Sequence, residues 1–458
     1  MRQQLASLLS ESRQGYTDIR FEQNRKTRIR FEGPRLTEIA DYKTSGGHLR
    51  AYEDGGKALA SFTDPQEAAG LLASTLSSAR LAAKYRGEPL RIAPAPRLEG
   101  TFPVSPTADP RTVSLEEKQA LLRHYNDLIL ADPHVATTVS QYEEFYSHRT
   151  FVNSEGTSIE YELLIVNIAG FIVTRRDGVV QQVRYAFGGN DEFSKLAGRD
   201  DDLRKQISMA TALLDAEPAE AGVYPVVLDP SEAGVFIHEA FGHLSEADGI
   251  QHNPAFRDRL ARGTKLGHPI LGVTDDPALL DCPGGYVVDD EGVRGQRTEL
   301  IREGILTGRL HSRETAAAFD EPLSGNMRAV DSHHTPIVRM SNIFIEPGTS
   351  SFDDMVSSIE DGYYLVGAKG GQTTGDQFTF GAQWGYRIRD GHLGEMVRDI
   401  NMSGELFSTL QALSMVGSDL SFAERGGCGK GMPMQLNAKS GKGAPHVKID
   451  SVTIGGIR

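Results

Sequence analysis

The sequence predicts an α+β fold: an N-terminal half of antiparallel strands with helices, then a C-terminal half that is largely β with a histidine-bearing helix at its start. Three observations predict it. The first half alternates period-2 apolar runs with amphipathic stretches at helical spacing. Everything after Ile270 is Gly-rich and strand-like, apart from "SSFDDMVSSIED" and "SGELFSTLQALSMVG". Between the halves lies one helical segment, "SEAGVFIHEAFGHLSEAD". At 458 residues the chain exceeds one ordinary core, so two or three domains are expected.

Residues 1–13 read as a short helix. "TDIRFEQ", "KTRIRFEG" and "LTEIADYK" read as strands, and "GGHLRAYEDGGKALASFTD" as a hairpin. "PQEAAGLLASTLSSARLAAKY" is helical, with Asp64 as a candidate cap. Together these form an N-terminal α+β unit over 1–86. Residues 87–113 are Pro-rich and read as an extended linker. A central α+β unit over 114–220 follows. It opens with the Ser-x-x-Glu capping box of "SLEEKQALLRHYNDLILAD", where Ser114 caps. Antiparallel strands run over about 135–187, and "DEFSKLAGRDDDLRKQISMATALLDAE" is again helical. The C-terminal domain spans 221–458. Its first strand is "VYPVVLDP", and Asp229 or Ser231 can cap the helix after it.

Charge and composition exclude several classes. Hydrophobic residues make up 39% and charged residues 24%, the balance of a globular chain. The net charge of −14 argues against a nucleic-acid partner, because phosphate neutralisation needs a basic face. No stretch approaches 18 apolar residues, so no membrane span is expected. The N-terminus lacks the apolar core of a signal peptide. Two cysteines, Cys282 and Cys428, allow no disulfide framework and fit a reducing compartment, so the expected location is the cytoplasm.

The segment "HEAFGH" places His238, Glu239 and His243 close together. The zinc-protease signature His-Glu-x-x-His has its histidines four apart, on one helical face. Here they are five apart. At about 100° per residue, they diverge by roughly 140° on a regular helix. A π-bulge inserts one residue and restores the alignment, and such bulges often mark functional sites. If both histidines bind one ion, the helix is bulged between them. Gly242 is placed to ease that distortion.

The pattern alone arises by composition in roughly a few per hundred proteins of this size, and structural histidines are the plain alternative. A catalytic zinc takes three protein ligands and a water, so a third must come from elsewhere. Glu246, Asp248, His252, His311, His333, His334, His446 and Cys282 are candidates. Cys428 stands out because its loop, "ERGGCGKGMP", is packed with glycine and lets backbone approach a metal. Glu239 holds the place of the general base in metalloproteases.

Several blocks, in order, resemble the TldD/PmbA (modulator of DNA gyrase) family, closest to its TldD-type zinc metallopeptidase subunit. "HEAFGHLSEAD" resembles the family's His-Glu-x-x-x-His helix. "VVDDEGVRGQRTELIREGILTGRLHSRETA" resembles its Asp-Asp-Glu-Gly hairpin and "VRMSNIFIEPG" its Arg-Met-Thr-Asn strand. "GGQTTGDQFTFGAQWGYRIRDGHLGEMVRDINMSG" and "GGCGKGMP" resemble its Gly-Gly and Cys-Gly-Lys blocks. The resemblance implies a zinc-dependent peptidase with His238, His243 and Cys428 as ligands and Glu239 as the catalytic glutamate. It implies action on unfolded or leader peptides, and a homodimer or a heterodimer with a TldE/PmbA-like subunit.

In that chemistry Zn2+ polarises a water, and Glu239 moves its proton to the leaving amine. Arg294, His333 and Tyr386 are candidates for the oxyanion donor. Dipeptidyl peptidase III also uses His-Glu-x-x-x-His, but its members are larger and helix-rich. The reading from another class is a non-catalytic peptide-binding or assembly subunit with structural histidines.

Overall fold

The computed structural model describes residues 1–10 and 15–455. Its N-terminal half is built from long ribbons: α1 (Arg2–Ser10), β1 (Tyr16–Glu32), β2 (Arg35–Glu53), β3 (Gly56–Phe62) and α2 (Glu67–Ala83). After them come β4 (Glu99–Phe102), α3 (Leu115–Leu130), β5 (Val135–Asn153), β6 (Ser158–Arg176), β7 (Val179–Asn190) and α4 (Asp200–Ala212). The seven strands form one sheet, in the order β3-β2-β1-β5-β6 with β4 and β7 both on the free edge of β6. β1 and β5 pair antiparallel over most of their length, so residues from both halves of 1–220 share a single sheet. β4 lies within the Pro-rich stretch and pairs parallel with the start of β6.

The strands are longer than the sequence suggests. "TDIRFEQ" and "KTRIRFEG" are one 17-residue strand, and "LTEIADYK" continues into "GGHLRAYE" as one of 19 residues. The polar Gln23-Asn24-Arg25 step looked like a break, yet both neighbouring strands pair through it. Asp64 accepts from Gln66 N in the preceding turn and leaves the helix itself without a side-chain cap. Ser114 closes its capping box with Glu117. The segment beginning at Asp191 turns once as a short 3-10 helix, Phe193–Leu196, before α4 starts. The expected helix at 1–13 is described to Ser10, and 11–13 lie outside the described residues.

Strand periodicity explains the layering. Ile19, Phe21, Ile29 and Phe31 alternate along β1 and so share one face. The first pair packs with Leu5 and Leu9 of α1, the second with Leu122, Tyr125 and Ile129 of α3. The opposite face of β1 and its neighbours carries Arg20, Arg50 and Arg149, all buried. These meet the Asp289-Asp290-Glu291 hairpin of the C-terminal half. Asp290 takes Arg20 at 2.9 Å and Arg149 at 2.8 Å, and Glu291 takes Arg50 at 2.7 Å. Asp289 accepts backbone N–H groups from Glu291, Val293 and Met327, which shapes its own turn.

The C-terminal half has two main sheets. Strands Gly222–Leu228, Asp361–Thr374, Gln377–Arg389, Asn401–Glu405 and Val447–Gly455 pair in a closed ring. A six-stranded sheet contains Val273–Asp275, Asn342–Ile345 and Gly441–Ala444. Helix α5 (Pro230–Ile237) lies between them and packs on strands of both. That placement explains its apolar character on every side. Phe236 packs edge-on against Phe378 and Phe380 of the ring, while Gly234 faces the backbone of Gly443 in the other sheet. The helix named by the sequence as the start of this half is its central element.

Candidate metal centre

Asp229 caps α5, accepting from Glu232 N at 2.8 Å, and Pro230 occupies the first turn. Of the two expected caps, Asp229 serves and Ser231 does not. The helix then changes pitch. His238–Gly242 is a single π turn, after which His243–Ser245 resumes the α form. This is the bulge that a shared ion requires. It brings the rings of His238 and His243 to 5.4 Å between centroids. Thr373 Oγ1 donates to the carbonyl of Glu239 at 2.9 Å and ties the turn to the neighbouring strand.

Gly242 has an ordinary helical backbone, φ −54° and ψ −47°, so its expected role in easing the distortion does not hold. Its use is spatial. A Cβ there would meet Met340 Sδ at 2.1 Å.

Cys428 arrives from a separate hairpin, where Cys428–Lys430 pairs with Gln435–Asn437. Its Sγ lies 3.4 Å from His243 Nε2. One donor atom each from His238, His243 and Cys428 lie within 4.8 Å of one another. His238 is fully buried, yet neither ring nitrogen has a hydrogen-bond partner. A buried imidazole left in that state costs free energy unless something else satisfies it. Burial, with the charges of Lys442, His243 and Arg339, holds His238 well below its usual range, so it is neutral and its lone pair is free. Two imidazoles and one thiol, with a position left open, match the donor set of a catalytic zinc site.

Glu239 reaches the same space. Its carboxylate is 4.0 Å from His238 Nε2 and 3.7 Å from His243 Nε2. Burial raises its pKa, and the charges of His243 and Lys442 pull it back.

Glu246 does not join the cluster as a third ligand. It is fully buried behind His243 and accepts from Nδ1 at 2.9 Å. That bond directs Nε2 toward Cys428, the arrangement by which a carboxylate fixes the tautomer of a metal-binding imidazole. Lys430 Nζ is 3.1 Å from Glu246 and 2.6 Å from Asp248. The Cys-Gly-Lys triplet thus supplies a thiol and, two residues on, the cation that pairs with the carboxylate behind His243. Burial would raise Glu246, but Lys430 and His243 outweigh it and lower it to about 2. Arg339, 1% exposed, donates to the carbonyls of Cys428 and Gln435 and so holds both strands of the hairpin.

The remaining sequence candidates lie elsewhere. His311 pairs with Thr315 and Glu321, His334 with Asp331, and His446 with Asp419 and Tyr364. Asp248 is taken by Lys430, His252 lines a cleft beside Arg257, and Cys282 one beside Lys195. Of the oxyanion candidates, Arg294 lies over Phe102, Tyr386 stacks on Tyr364, and His333 lines a different cavity. The cation whose field reaches Glu239, His238 and Cys428 is Lys442, which sequence reasoning missed. A lysine in "SGKGAP" carries no signal of its own.

Comparison with known proteins identifies the family. Family models match nearly the whole chain: PmbA/TldA metallopeptidase domain 1 over 17–83, the central domain over 108–213, and the C-terminal domain over 221–456. The chain belongs to the PmbA/TldA metallopeptidase family. It is 35% identical to a metalloprotease of Synechocystis sp. over 97% of this chain and 96% of that one. It is 32% identical to a zinc metalloprotease TldD homolog of Saccharolobus solfataricus, over 70% of this chain and 71% of that one. The PmbA/TldA fold recurs in a solved Thermotoga maritima protein described as a modulator of a DNA gyrase, with TM-score 0.78, 17% identity and 99% of both chains covered. TldE from Thermococcus kodakarensis superposes with TM-score 0.72 at 18% identity, again over 99% of both chains. Among the described residues, no helix is long and apolar enough to cross a membrane.

Proposed function

We propose that the protein is a zinc-dependent peptidase that hydrolyses peptide bonds in unfolded or leader peptides, with His238, His243 and Cys428 holding the metal and Glu239 as general base. The observation that carries this reading is the convergence of three donor atoms within 4.8 Å across a π turn, with the Glu239 carboxylate beside both imidazoles. A zinc ion held by His238, His243 and Cys428 would supply a Lewis acid and would lower the pKa of a water bound to it.

The protein's own groups do the rest. Glu239 accepts a proton at its carboxylate as water attacks the scissile carbonyl, then returns it to the leaving amine. Its raised pKa suits a group that must both take and release a proton. Lys442 brings a positive charge to the same site, where it acts on Glu239 and Cys428. Glu246 and Lys430 keep His243 in one tautomer and orientation. Only an extended segment exposes its backbone for such a site, which fits unfolded substrates bound as an added strand. A cytoplasmic dimer, with itself or with a TldE-like subunit, completes the reading; the likeness in fold to a solved TldE supports such a pairing.

The test is peptide hydrolysis with and without chelator, in the wild type and in Glu239→Ala. Chelator-sensitive cleavage that falls by about a hundredfold or more in the variant supports the reading. Cleavage unchanged in Glu239→Ala removes the proposed base, and bound peptide with no cleavage under any condition favours a non-catalytic binding subunit.

A further inference from the structure

We propose that the cavity behind the Cys428 hairpin binds a carboxylate of the peptide substrate, with Lys439 and Arg328 as the receiving cations. The proposal rests on the peptidase reading and names what such a substrate carries into the site.

The cavity has a volume of about 410 Å³ and lies between the N-terminal sheet and the C-terminal half. None of His238, Glu239, His243 and Cys428 lines it. It borders their site nonetheless. Asn437, in its wall, is the ladder partner of Cys428, and paired strands lie about 4.8 Å apart. Met434 and Leu436 of the same hairpin also line it and are 60% and 77% exposed, which gives the cavity an apolar lip.

The charges in the wall do not balance. Asp290 is matched by Arg20 and Arg149, Asp331 by His334, and Glu143 by Arg28 and Lys26. Two cations are left without an ion pair among the described residues, although the charges of Asp275 and Asp290 act on one of them, Arg328. Lys439 is 8% exposed and, among the described residues, has neither an ion pair nor a side-chain hydrogen bond to an acidic group. Among the described residues, Asp191 is the acidic group whose charge acts on it. Arg328 is 6% exposed, lies over the Tyr286 ring at 4.6 Å, and spends its terminal nitrogens on the carbonyls of Lys439 and Met340. Its Nε has no partner.

Because Arg328 donates to the carbonyl of Lys439 itself, the two residues are held together at one wall. Burying a cation without a direct ion pair is costly, and an anionic ligand offsets that cost. Mixed apolar and cationic walls, one strand from the proposed cleavage site, fit the anion that peptides carry. That anion is either a terminal carboxylate or an Asp or Glu side chain.

Binding is measured on the full chain bearing Glu239→Gln, so that the probe stays intact. The probe is a fluorescent hexapeptide of alternating Ala and Leu, with a free carboxyl terminus, with a terminal amide, or with the amide and one internal Glu. The expected result is that the free acid binds about tenfold more tightly than the amide, the scale of one well-placed charge pair. Lys439→Met abolishes that preference and Lys439→Arg retains it. If the free acid alone is favoured over the plain amide, the recognised group is the terminus; if the Glu-bearing amide alone is favoured, it is a side chain; if both are, either carboxylate serves.

Equal binding of all three probes overturns the proposal, as does a preference that survives both Lys439→Met and Arg328→Met. Hydrolysis by the wild type is read separately. A carboxylate preference without any cleavage sinks the peptidase reading and leaves the subsite. Cleavage without the preference does the reverse.

Discussion

Cys428 Sγ lies 3.4 Å from His243 Nε2, although 185 positions separate them in the chain. Two features make that approach possible. The π turn rotates His243 onto the face of His238, and the Lys430–Glu246 pair fixes the hairpin against the imidazole from behind.

Glu246 acts through His243, so its loss is expected to weaken metal binding. Glu246→Gln is predicted to raise the zinc dissociation constant by about 10–100-fold, the usual range for outer carboxylates. Competition with a chromophoric chelator measures this directly. Unchanged affinity would reduce Glu246 to a buried counter-ion for Lys430.

Gly242 tests the packing of the turn. A Cβ at this position would meet Met340 Sδ at 2.1 Å, with Ile343 Cδ1 at 3.0 Å. Gly242→Ala is predicted to destabilise by about 1–3 kcal/mol, the scale of overpacking. Met340→Ala in the same chain is predicted to recover part of the Tm loss by making room. A fully stable single variant would mean that the turn has space to spare.

Much of this was legible before the structure. The α+β class and the presence of the histidine helix at the start of the C-terminal half follow from periodicity and from the Asp229 cap; its central place between two sheets does not. The bulge follows from simple geometry, because five residues do not fit one face of an α-helix. Other features were hidden. Strand continuity through Gln23-Asn24-Arg25 depends on pairing with distant strands, which local polarity cannot report. Glu246 looked like a third ligand because its spacing is right, and only the fold shows His243 Nδ1 in front of it. Lys442 and Lys439 acquire meaning from what surrounds them, and nothing in a Gly- and Lys-rich tail marks them.

Asp290 is predicted to contribute to acid stability. Burial alone would raise Asp290, but Arg149, Arg20 and the Tyr161 hydroxyl outweigh it and hold its carboxyl well below the usual range. Its folded pKa is therefore below its unfolded value of about 3.9. The stabilisation is present above that value and is lost as pH falls through the folded pKa. Unfolding free energy should decline from about pH 5 downward, and Asp290→Asn should flatten that acid limb. At neutral pH the same variant is predicted to cost on the order of 3 kcal/mol, since it leaves buried arginines short of a partner. Denaturant titrations across the acid range check both; an acid limb as steep in Asp290→Asn as in the wild type would assign acid lability to other groups.

The central claim is that three side chains from two distant segments hold one metal ion. Zinc content of the purified protein, measured beside Cys428→Ser, tests it most directly. The account predicts about one zinc per chain in the wild type, the stoichiometry of a single three-ligand site, and loss of most of it in the variant. Full zinc occupancy in folded Cys428→Ser would contradict it, because the two histidines would then be holding the ion without the thiol.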